Sequence, residues 1–71
     1  MNITEKDKLF FLIEEMEKVN ISDEDIVGML SMLDTEEMID EMIRYLVNTP
    51  TLTKEKIVKA LVIVTREMDH E

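Results

Sequence analysis

Residues 22–53 read SDEDIVGMLSMLDTEEMIDEMIRYLVNTPTLT. Two helix openings and one helix stop are written into this stretch. Ser22 can cap a helix whose first turn, Asp23, Glu24 and Asp25, carries negative charge where the helix dipole favours it. Ile26, Val27, Leu30 and Leu33 then recur at helical spacing. Asp34 can cap the next helix, and Glu37 three residues on completes a capping-box pattern. Its apolar stripe is Met38, Ile39, Met42, Ile43 and Leu46. Asn48-Thr49-Pro50-Thr51 ends it, because proline has no amide donor and pushes Thr49 out of the helical region.

The flanks repeat the logic. Thr4 can cap a first helix with Leu9, Leu12, Ile13, Met16 and Val19 on one stripe. Thr53 can cap a fourth, with Ile57, Val58, Leu61, Val64 and Met68 inside. One glycine and one proline in 71 residues leave little room for hairpins. The expectation is one all-α domain over residues 1–71. It is a compact four-helix bundle or orthogonal helical array, with helices at about 5–19, 23–33, 35–48 and 54–68. Connections of roughly two to five residues predict consecutive helices that neighbour one another and reverse direction.

Charge is concentrated in the middle. Between Glu14 and Ile43 lie eleven carboxylates and one base, Lys18, so that stretch alone carries −10. The residues before it sum to zero and those after it to +1, which gives the total of −9. Local charge of this kind is what a partner reads. It argues against binding nucleic-acid phosphates and anionic membranes. The longest apolar runs, residues 9–13 and 60–64, fall far short of the roughly 20 needed to span a bilayer. No basic segment followed by a long apolar stretch marks a signal peptide, so a cytoplasmic setting is expected.

The residue inventory removes most chemistry. With no cysteine there is no thiolate zinc site, no disulfide and no cysteine nucleophile. One histidine, the penultimate His70, cannot build a Ser-His-Asp arrangement or a His-based zinc site within one chain. A single glycine excludes a phosphate-cradling loop of the GxxxxGK type. Asp23, Asp25, Gly28 and Asp34 match positions 1, 3, 6 and 12 of an EF-hand loop. However, Val27 stands where a side-chain oxygen is needed, and Asp34 is short for the last ligand. The helix-turn-helix outline around 33–35 fails because Glu36, Glu37, Asp40 and Glu41 would repel phosphates where a recognition helix meets DNA. No catalytic activity, cofactor or metal is expected.

Some large apolar residues fall off the stripes: Phe11, Met32, Val47 and Ile63. Single exposed apolar residues are common and need no explanation. Yet a chain this short buries only about 60 % of the surface its unfolded form exposes, and small domains gain from a partner. Phe11 and Ile63 are therefore the candidate self-association residues, with a homodimer expected. Most of the seven methionines fall on core stripes, and Met29 and Met32 lie near the edge of the second helix. Tyr45 beside Arg44 is a candidate anchor, since both types are enriched at binding hot spots.

The functional expectation is a small acidic interaction or regulatory module that docks a basic protein surface through Glu36, Glu37, Asp40, Glu41, Tyr45 and Met32. The first alternative is a nucleic-acid mimic that occupies a DNA-binding cleft. The second is a structural self-associating subunit whose acids serve solubility.

Overall fold

The structure is a computed structural model that describes residues 5–68, with side-chain surroundings for 6–67. Four helices follow one another: α1 (Glu5–Lys18), α2 (Asp23–Leu30), α3 (Glu36–Val47) and α4 (Lys54–Met68). No strand occurs among the described residues, and the fold is the expected all-α array. The radius of gyration is 11.5 Å. A chain of this length packed as one body should have about 11 Å, so the four helices share one core.

That core is apolar throughout. Leu12, Met16, Met42 and Ile57 are completely enclosed, and no polar or charged side chain is buried with them among the described residues. Of the expected stripes, α3 is placed most fully: Met38, Ile39, Met42 and Leu46 are all buried, and Ile43 is partly so. α3 packs closely against α4 and α1, and α1 also packs against α2. The expectation that each helix neighbours the next therefore holds for α1–α2 and α3–α4 but not for α2–α3, which is no close pair. The chain instead lays α3 alongside α1, because α2 offers α3 little: Ile26 is the one buried residue of α2.

Four helix ends differ from the sequence reading: α3 closes at Val47, with Asn48 as its cap, rather than at 48, and the other three differ for visible reasons. α2 stops at Leu30 rather than at 33. Met32 N–H donates to the Met29 carbonyl and Leu33 N–H to the Leu30 carbonyl, a tighter i→i−3 turn that still delivers Leu33 into the core. Ser31 Oγ adds a bond to the Gly28 carbonyl at 2.7 Å. Secondly, the cap of α3 is Thr35, not Asp34. Thr35 is extended (φ −125°, ψ 159°), and its Oγ1 accepts the Met38 N–H at 3.2 Å. With Leu33 pinned in the core, residue 34 is needed to carry the chain between the helices, and the cap falls one residue later. Thirdly, α1 ends one residue early in a Schellman motif. Asn20 takes the left-handed φ of 67°, its N–H reaches the Glu17 carbonyl, and Ile21 N–H reaches the Met16 carbonyl. Met16 and Ile21 are both buried, which is the apolar pair such a motif commonly brings together.

Ser22 and Thr53 cap α2 and α4 as expected. They accept the amides of Asp25 and Lys56, each at 3.2 Å. The Thr4 cap, the burial of Met68 and His70 lie outside the described residues. No helix of the described chain is long and apolar enough to cross a membrane.

Candidate partner-binding surfaces

The sequence nominates the outer face of α3, and its four acids do share that face. At roughly 100° per residue, Glu36, Glu37, Asp40 and Glu41 all fall opposite the buried Met38–Met42–Leu46 side, with Arg44 among them. All but Glu41 are exposed, and Glu41 is partly covered. Glu37, Asp40, Glu41 and Arg44 line a shallow hollow of about 260 Å³.

Much of this charge is already answered within the chain. Lys8 on α1 reaches across to Asp40 at 2.8 Å and to Glu36 at 2.9 Å. Those hydrogen bonds, first to Asp40 and then to Glu36, hold the Lys8 ammonium above the usual lysine pKa, against a smaller opposing effect of burial. Arg44 lies 3.8 Å from Glu41. Of the four acids, Glu37 alone has no ion-pair partner among the described residues.

Apolar ground borders the acidic face on both sides. Toward α4, Tyr45 and Ile63 share a crevice of about 320 Å³ with Glu41 and Glu67. Toward α1, Phe11 lies with Ile43 and Val47 in a hollow of about 390 Å³ that Asp40 and Lys8 also line. The two candidate self-association residues thus sit in different hollows, on opposite borders of α3. Phe11 is half-buried against the core, because α3 runs alongside α1 and covers that flank. The exposed aromatic of α1 is its neighbour Phe10, at 55 %. The sequence reading placed Phe11 off the stripe and did not weigh Phe10, and the position of α3 is what separates the two.

Met32 stands apart from the α3 acids. It belongs to a groove of about 460 Å³ between α2 and α4, which are not a closely packed pair. Ile21 and Leu61 form its buried floor, and Met29, Met32 and Val58 its walls. Val27 (67 % exposed) and Val62 extend the apolar exposure of the same two helices. Glu24 and Asp25 border the groove without an ion-pair partner among the described residues, and Lys54 is its one cation.

Gly28 is part of this lining, and a side chain there would meet nothing within 4 Å. Its φ is not positive, so the backbone does not require glycine. A glycine inside a helix costs about 1 kcal/mol relative to alanine. No neighbour among the described residues would obstruct a Cβ there, and the effect of its absence is to keep the wall of the groove low. Sequence reasoning missed Gly28 and Phe10 as surface features and placed Val58 inside, whereas it is 42 % exposed. Gly28 carried a usable signal, a lone glycine inside an apolar helical pattern.

The 23–34 segment is not a calcium loop, since Asp23 and Asp25 are held in the first turn of α2. Among the described residues, no group of acidic or histidine side chains is arranged to hold a metal ion. Compared with known proteins, the chain matches no family model, no curated protein and no solved structure.

Proposed function

We propose that this protein is a small acidic interaction module, without a catalytic step, that docks a basic surface on another protein. The observation that carries the reading is the pairing of bare charge with open apolar surface. Glu24 and Asp25, which form no ion pair among the described residues, border a groove walled by Met29, Met32 and Val58, with Lys54 its one cation. Such a surface attracts cations from a distance and offers apolar contact on arrival. Methionine walls adapt to the shape they meet. The α3 face, with unpaired Glu37 and the Tyr45 crevice, supplies a second place for the same partner.

Nucleic-acid mimicry is less well supported. A mimic needs an array of bare carboxylates, whereas Lys8 bridges two of the four on α3 and Arg44 lies among them.

The test is capture of binding partners from a cell lysate on the tagged protein, with elution by a salt gradient and identification by mass spectrometry. A single basic protein released by moderate salt is expected. Displacement of the captured protein by added DNA would favour mimicry instead. Recovery of the bait alone, as a dimer by sedimentation, would leave the self-associating subunit as the better account.

A further inference from the structure

We infer that the groove between α2 and α4 receives one amphipathic helix of the partner, with its apolar stripe seated on Met29, Met32 and Val58 and its basic residues turned to Glu24 and Asp25. This rests on the interaction-module reading and names the partner's chemistry at that site.

The occupant is helical because of what the groove lacks. Its walls are two helices whose backbone groups are engaged in their own hydrogen bonds, so no strand edge is present to pair with an extended peptide. A segment that buries itself on apolar side chains must satisfy its own backbone, and a helix does so. The scale agrees. The eight residues of α2 make a wall about 12 Å long, enough for two turns of a docked helix and anchors at i, i+3 or i+4, and i+7.

The occupant is basic because Glu24 and Asp25 form no ion pair among the described residues and outnumber Lys54, the one cation of the lining, whereas three of the four acids on α3 are paired. A second copy of this chain fits poorly, since it would bring −9 up to −9. Gly28 gives the independent mark. Its missing side chain serves neither backbone conformation nor internal packing, and it leaves room where a docked helix would lie.

The probe is an acetylated and amidated Leu/Lys peptide of about fourteen residues with leucines on one helical face. Controls are the Leu/Glu counterpart and a Leu/Lys peptide of the same composition with its leucines scattered round the helix. Titration into the full-length protein is followed by the methyl resonances of its methionines and by peptide circular dichroism. The facial Leu/Lys peptide should bind one to one, become helical and shift Met29 and Met32. Neither control should match it. Gly28→Leu should keep or raise the melting temperature and weaken binding about tenfold or more, and Met32→Ser with Val58→Ser should weaken it similarly. Glu37→Lys with Glu41→Lys should change it far less.

Unchanged binding by Gly28→Leu would overturn the inference, as would shifts confined to the α3 face or equal binding of the scattered peptide. A wild-type dimer that Gly28→Leu dissociates would do so too, because the groove would then be a self-interface. If the groove variants still capture the basic lysate protein while the α3 charge reversals lose it, the groove assignment falls and the interaction reading stands. If neither peptide nor basic protein is held, both fall.

Discussion

α2 and α3 begin alike and end as opposites. Each opens with a hydroxyl cap and a run of acids, and each then carries apolar residues at helical spacing. α3 is twelve residues long with a helix packed on each side, so four of its apolar residues are sealed in the core. Three of its four acids meet Lys8 or Arg44. α2 has eight residues and packs closely against α1 only, so it buries Ile26 and leaves Val27 outside. Its Glu24 and Asp25 form no ion pair among the described residues and border an open groove. Neighbours, more than composition, decide whether an acidic amphipathic helix is a structural strut or a surface.

The hardest test of that contrast is a pair of methionine deletions. Met42→Ala on α3 removes a fully enclosed side chain and should cost about 3 kcal/mol, much of the stability of so small a domain. Met32→Ala, at a site 49 % exposed, should stay within about 0.5 kcal/mol. Urea denaturation of the two variants reads both, and equal losses would break the distinction. Next comes the cap of α3. Thr35→Ala should cost about 1 kcal/mol and Asp34→Ala only a few tenths, by thermal melts, because Thr35 holds the Met38 amide. A larger loss at Asp34 would return the helix start to the position the capping box suggested.

A smaller effect has the opposite sign. Gly28→Ala should stabilise the free protein by about 0.5–1 kcal/mol, because α2 gains helix propensity and the methyl group meets no neighbour. Destabilisation would mean that the glycine serves the fold and not the groove.

The smallest expected effect concerns Lys8. Its folded-state pKa is raised, so its contribution is present below the unfolded lysine value and is lost as pH climbs through the higher folded one. Wild type should therefore melt slightly above Lys8→Met at neutral pH, and the gap should close above pH 10.5 as the ammonium deprotonates. Added salt should narrow it as well. A gap that persisted unchanged at high pH would assign the effect to packing of the lysine stem.

Much of this architecture is legible in the chain alone, because its signals are local. Ser22 and Thr53 cap because hydroxyls satisfy free amides within their own turn, and Pro50 stops α3 wherever α3 lies. Spacing likewise places Leu12, Met16, Met38, Met42, Ile57 and Leu61 inside. Where two local signals compete, the residues alone do not arbitrate. Asp34 and Thr35 are both good caps, and the burial of Leu33 chose between them. Asn20 is of a type that tolerates the left-handed region, but only the close of α1 required it there.

The surfaces belong to the tertiary structure. A helical wheel states which residues leave a stripe and not which of them another helix will cover. α3 beside α1 half-buries Phe11 and leaves Phe10 in water, and Lys8 can neutralise Glu36 and Asp40 only across that same contact. The sequence determined the number of helices, their stripes and the sign of the charge, since these follow from bonds and periodicities within a few residues. Only the packing of helices distant in the chain decided which acids remained bare and where Met32, Gly28 and Val58 came together as a groove, because a concavity is the space that neighbours leave unfilled.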